Sequence, residues 1–421
     1  MDAPLSTLSA AERARGRRLA ILSHPMGMTH RQVYTDQLPT LALVALGASE
    51  TVVGFQRALE PLSQMFQLTT LRALRDFPKR RILVAGQIVA VLAGLPLIAF
   101  AALAAAPRSL ALALTLASLT VTAVGIVVSQ TVWFPLLRDY IEPAQTGQFF
   151  GALRMWWHLM LIGYFLAAQR WLASYPGSFG ALFAVGTLCG LLRVAMIARL
   201  PEASRHESRP SRVRAALRLL QTEPRLRRYL LGVGLFGAAQ RAVLPFVIVL
   251  MRRVMGLSDA DVLVGMVATY IGGFVSLYLW GRLTDRVGAM PVFRVTAVAM
   301  AALFVALLPL AGAAPGALVM AVFFFLVSVF SSGFGVADTH VLFRLAAAHE
   351  PTGFLVIADV TSSLAYGLAP LLMGAVLEVA IAAGVDPVAA YRLVFAAAAV
   401  ATLAALLPLR TFADAAKQRN A

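Results

Sequence analysis

Arg31 and Arg241 lie about 210 residues apart, each inside strongly apolar sequence. A guanidinium offers a planar fork of donors that fits a carboxylate or a phosphate. Two such forks facing one cavity repel each other unless an anion sits between them. Tyr34 and Gln240 stand beside them on the same segments and add neutral donors. Asp36, Glu60, Asp338 and Asp359 are the carboxylates that could take up and release a proton as their exposure changes. His30 and His158 are titratable candidates of the same kind, and Asp36 leads because it shares a segment with Arg31. The competing reading is local neutralisation, with Asp36 the mate of Arg31. Arg57 and Glu60, three apart on one helix face, fit such a pairing. Trp156-Trp157 could stack on a substrate ring, although packing is the commoner use of such a pair.

The rest of the chain shows what must position these groups. Of 421 residues 60% are hydrophobic and only 13% charged, and the mean hydropathy is +0.79. A soluble domain carries roughly 25% charged residues. This surface therefore suits lipid, and the net charge of +16 falls in short clusters between apolar runs rather than on one nucleic-acid-binding face. Runs long enough to cross a bilayer as helices cover Ile82–Ala106, Leu110–Leu137, Phe149–Leu172, Phe179–Ile197, Tyr229–Met251, Val262–Trp280, Val292–Gly312, Ala317–Val336, Phe354–Ala380 and Val388–Leu409. Ser23–Leu74 has room for two more, broken at Gly47-Ala48-Ser49. Arginines at 13, 15, 17 and 18 precede it, and Arg72, Arg75, Lys79, Arg80 and Arg81 follow it. Positive clusters stay inside, so the number of crossings between them is even and the total is twelve. Arg138, Arg282, Arg286, Arg294, Arg344, Arg410, Lys417 and Arg419 keep the same side, and Arg252-Arg253 is the main exception.

The expected division is a cytoplasmic N-terminus (1–18), a six-helix bundle (19–200), a basic central loop (201–228), a second bundle (229–410) and a cytoplasmic C-terminus (411–421). The first and seventh helices are expected to start near Arg18–Ala20 and Tyr229. Both arginines then lie about 17–19 Å in at 1.5 Å per residue, near the middle of the hydrocarbon. A charge at that depth costs at least about 2.5–3.5 kcal/mol, so it faces water, a partner or a substrate. The sixth, ninth and twelfth helices carry charge only near their ends, at Arg193, Arg294 and Arg392, and the third has only Gln87 as a strongly polar interior residue.

The halves repeat each other weakly. Gly47-Ala-Ser-Glu50 matches Gly256-Leu-Ser-Asp259, Glu142-Pro143 matches Glu350-Pro351, and Arg72-Ala-Leu-Arg-Asp76 matches Arg282-Leu-Thr-Asp-Arg286. With its helix count and basic central loop, the chain resembles the major facilitator superfamily. The most specific match is Gly281-Arg-Leu-Thr-Asp285-Arg286-Val-Gly288, similar to that family's G-x-L-x-D-R-x-G loop. The first-half copy departs from it, with Leu71 and Pro78 in place of glycines and Arg75-Asp76 in reversed order. The resemblance implies an all-α polytopic fold of two six-helix halves related by a pseudo-two-fold axis. It also implies a cytoplasmic gate in which Asp285 pairs with Arg344, with Gly281, Arg286, Gly288, Arg75 and Asp76 shaping the two loops. Paired arginines on the first and seventh helices, with a histidine on the fifth, are similar to the superfamily's organophosphate–phosphate antiporters. That similarity makes His158 a further substrate contact.

No Walker loop, metal-ligand spacing or nucleophile elbow is present, so no cofactor, metal or enzymatic activity is expected. The expectation is a monomeric secondary transporter of a bacterial inner membrane, with both termini cytoplasmic. Its partners would be lipid, a small organic or phosphorylated anion, and protons as a candidate coupling ion. Two alternatives stand beside it: proton-coupled efflux of an amphipathic or cationic compound, and a non-transporting assembly factor or sensor on the same fold.

Overall fold

The computed structural model describes residues 8–410, apart from 75–76, 138, 142–145, 203–217, 219, 314 and 347–350. Within these residues every regular element is helical. Ten helices are long and apolar enough to cross a membrane. They are Lys79–Ala105, which contains a 3-10 turn at Leu95–Ala99, Arg108–Leu137, Thr146–Ser174, Phe179–Ile197, Pro224–Arg253, Asp259–Val287, Ala289–Ala313, Ala317–Ala346, Pro351–Ala382 and Pro387–Ala404, which Leu406–Leu409 continues. Pro96 accounts for the 3-10 turn, since it supplies no backbone donor. These ten are numbered three to twelve.

The first two crossings are each in two pieces: Ala10–Thr35 and Gln37–Ala45, then Glu50–Ser63 and Phe66–Ala73. The first begins at Ala10 rather than near Arg18–Ala20, because Ser9 and Glu12 close a reciprocal capping box. It ends at Thr35 because Pro39 follows: a proline ring clashes with the carbonyl four residues earlier. Asp36 caps the break, its N–H donating to the Gln32 carbonyl at 3.2 Å. The seventh begins at Pro224, a residue whose missing N–H is no loss in a first turn.

Contacts group the chain into two compact units, 1–42 with 63–164 and 177–211, and 43–62 with 165–176 and 212–421. In the first unit helix one lies along helix six, and helix three along helix four. In the second, helix seven lies along eleven and twelve, and helix ten along eight and nine. The outer faces remain apolar: Leu92, Leu188, Leu393 and Val400 are more than half exposed. Apolar exposure on that scale belongs in lipid, not water. Helix six departs from the sequence expectation. Arg193 is not a peripheral charge there but fully buried, on a face shared with Gly186, Gly190 and Ile197.

Candidate functional site

In the first unit, the polar residues of helix one meet helices three, four, five and six. The Arg193 guanidinium lies against the backbone of helix one at Gly27, where an added Cβ would stand 1.5 Å from its Nη1. Its Cζ sits 5.1 Å from the centre of the Trp133 ring, a cation–π distance. His24 stacks on Trp133 at 5.9 Å, and the edge of Trp157 meets His24 at 6.2 Å. His30 is fully buried; its ring packs on Gly190, and its Nδ1 lies 3.3 Å from the Gln87 amide. Gln87, the lone polar residue inside helix three, is thus spent on a buried histidine. Arg31, half-buried, sits one turn beyond Gly27, and its charge bears on both Arg193 and His24. Two arginines therefore share this cluster.

Two of the expected site residues are hydrogen-bonded within the unit. Tyr34 is buried, its hydroxyl 2.6 Å from Thr187 Oγ1 and 3.1 Å from the Phe183 carbonyl, so it ties helix one to helix six. The Nδ1–H of buried His158 donates to the Arg154 carbonyl at 2.8 Å, and its ring packs against Trp157. That places it beside the cluster, through Trp157. Asp36 is half-buried at the helix break.

In the second unit, the exposed Arg241 lies over the Tyr366 ring at 5.1 Å. Gln240 donates to Ser331, and the Tyr229 hydroxyl donates to the Asp338 carboxylate. Arg241, Asp338 and Asp359 all act electrostatically on Tyr366. This cluster thus holds one arginine among two carboxylates and two phenols. Glu60 is half-buried on the Glu50–Ser63 helix. The equivalent arginines of the two halves have different company.

The gate residues are only partly assembled. Gly288 caps helix eight with φ +82°, a conformation that favours glycine, and Gly281 lies about two turns earlier, inside that helix. Asp285, Arg286 and Arg344 are exposed, and among the described residues no ion pair joins Asp285 to Arg344. Arg75 and Asp76 lie outside the described residues. The ion pairs missed in the sequence lie elsewhere. Arg253 reaches Glu50 at 2.5 Å, where the Tyr391 hydroxyl also donates at 3.3 Å, and Arg252 reaches Asp259 at 2.6 Å. Both carboxylates open helices, so the two exceptional positive charges are neutralised. Their signal was already present in the repeat, as Gly-x-Ser followed by an acid.

The sequence profile of the Major Facilitator Superfamily matches residues 37–353. The chain belongs to that superfamily. No significant match exists among curated proteins. Among solved structures, the chain is similar to the nucleoside transporter NupG, with 13% identity, TM-score 0.68, and coverage of 94% of this chain and 99% of that one. It is similar to the xylose transporter XylE from E. coli, with 12% identity, TM-score 0.69, and coverage of 96% and 98%. A bacterial homologue of the human lysosomal transporter Spinster gives 15% identity, TM-score 0.65, and coverage of 97% and 99%. At such identities the likeness is one of fold. The chain is a multi-pass membrane protein of the superfamily's all-α fold, and the family is one of secondary transporters. Among the described residues no group of His, Cys, Asp and Glu could hold a metal ion.

Proposed function

We propose that this superfamily member moves a small organic or phosphorylated anion across a bacterial inner membrane by alternating access, with both termini cytoplasmic and protons as the coupling ion. The observation that carries the proposal is the difference in sign between the two clusters. The first sets Arg31 near Arg193, whose guanidinium has no hydrogen-bond acceptor among the described residues. The second sets Asp338 and Asp359 around one arginine. A cationic cluster suits an anionic solute. A carboxylate that accepts from a phenol and shares its surroundings with a second carboxylate suits a proton carrier. Asp338 therefore replaces Asp36 as the leading proton-coupling residue. Arg241 supports Asp338 and Asp359 on this reading, rather than sharing the substrate with Arg31.

The test is uptake into proteoliposomes of a panel of radiolabelled carboxylates and phosphate monoesters, with and without an imposed pH gradient. The Asp338→Asn variant is expected to lose gradient-driven accumulation and to keep counterflow. Undiminished accumulation by Asp338→Asn refutes the coupling assignment. Accumulation of cationic compounds alone refutes the substrate class.

A further inference from the structure

The first unit contains an unusual surplus of buried hydrogen-bond donors. Arg193 is fully buried, and Nε, Nη1 and Nη2 have no acceptor among the described residues. The indole N–H groups of Trp133 and Trp157 are buried without an acceptor as well. The Gln87 amide faces His30 Nδ1, which leaves the His30 proton on Nε2, and that nitrogen also has no partner. An arginine and an indole can only donate. Burying one such group unpaired is strongly unfavourable, and buried polar groups are paired in the great majority of cases. Four side chains from helices one, four, five and six leave donors unpaired in one neighbourhood. His24 bridges Trp133 and Trp157, while Arg193 packs on Trp133 and its charge acts on His30.

We infer that Arg193, with His30, Trp133 and Trp157, forms a binding subsite for an oxyanion, a carboxylate or phosphate group, inside the first unit. Such a group carries acceptors only and a negative charge, which is the complement of this donor set. Gly27 belongs to the subsite because its missing side chain makes room for the guanidinium. Arg31, half-buried one turn along helix one, acts electrostatically on Arg193. In its physiological role the subsite rests on the anion-transport reading, but binding can be tested without transport.

The full-length protein, purified in detergent without added lipid, would be titrated with inorganic phosphate and with acetate at constant ionic strength. Tryptophan fluorescence and the thermal midpoint would both be followed. A saturable change in emission and a raised midpoint are expected. Trp133→Phe should remove most of the emission change and reduce the midpoint shift, because it deletes one of the subsite's donors. Arg193→Gln should weaken the response at least tenfold, and Arg193→Lys nearly as much, because the fork is lost. Without anion, Arg193→Gln should melt at or above the wild-type temperature, since an unpaired buried charge has been removed. A merely structural arginine would melt lower when replaced. Should Arg193→Gln not survive purification, Gly27→Ala displaces the guanidinium and is expected to weaken the response in the same direction. No saturable response in the wild type, or an equal one in Arg193→Gln, overturns the subsite. A response to phosphatidylglycerol micelles but not to free phosphate or acetate also overturns it, in favour of a lipid headgroup. Binding lost with transport intact would remove this subsite alone. Binding intact with no anion transported would remove the transport reading alone.

Discussion

The Glu50–Arg253 pair offers a measurement whose size follows from geometry. Arg253 Nη1 stands 2.5 Å from Glu50 Oε1, the second arm of Arg253 reaches the Ala48 carbonyl, and Tyr391 donates to the same Glu50 oxygen. The Glu50 side chain is 12% exposed and that of Arg253 32%. An exposed pair contributes about 0.2–1 kcal/mol, whereas breaking a buried one costs about 3–5 kcal/mol. This pair lies between these limits, and hydrogen bonds to charged groups contribute about 1.5–3 kcal/mol. A coupling energy of about 1–2 kcal/mol is therefore expected from the cycle Glu50→Gln, Arg253→Gln and the double variant. That is a factor of about 5–30 in the folded-to-unfolded ratio. Reversible unfolding by sodium dodecyl sulfate in mixed micelles, followed by tryptophan emission, would read it. Glu50→Gln alone should cost less than Arg253→Gln, because only the latter also strips a donor from the Ala48 carbonyl. A coupling below about 0.3 kcal/mol, within the error of additivity for independent sites, would show that the contact contributes nothing and refute the reasoning.

Two further outcomes test the assignment of neighbouring residues. Tyr34→Phe removes a buried hydroxyl that serves Thr187 and the Phe183 carbonyl. It should lower stability by about 1–2 kcal/mol and leave the KM for any transported anion unchanged; a KM raised many-fold at unaltered stability would restore Tyr34 to the substrate. Gly288 has φ +82° and ψ 170°, and an added Cβ there meets nothing within 4 Å. Gly288→Ala should therefore cost roughly 1–3 kcal/mol through backbone strain alone, while Gly281→Ala, in open space without positive φ, should be close to neutral in the same unfolding measurement.

The ten long crossings were legible because length and apolarity are local properties of a run. Helix ends were less so. The first helix extends back to Ala10 through four arginines, where hydropathy gives no helix signal, yet Ser9-Ala-Ala-Glu12 is a capping sequence in plain view. The break at Asp36 likewise follows from Pro39. Arg193 was hidden differently. Near the end of an apolar run it resembles a topology-setting charge, and only its spacing from Gly186 and Gly190 marks the buried face. Close approach of small residues to another helix is what seats it there.

The internal repeat located Arg31 and Arg241 but could not supply their surroundings, because those come from other helices. Aligning Glu142-Pro143 with Glu350-Pro351 places neutral Gln130 opposite Asp338. At that position the first half carries an amide where the second carries the Asp338 carboxylate, and the first unit adds the buried Arg193. Symmetric positions in the chain have become unlike electrostatic sites. The polarity of helix one follows from this: His24, Gly27 and His30 face a neighbourhood that holds the unpaired donors of Arg193, Trp133 and Trp157. Asp36, the obvious local mate for Arg31 in the sequence, also caps the end of that helix through its backbone N–H. A long apolar helix would cross the membrane more cheaply, so the buried donors concentrated on and around helix one carry a cost that a partner or a ligand must offset.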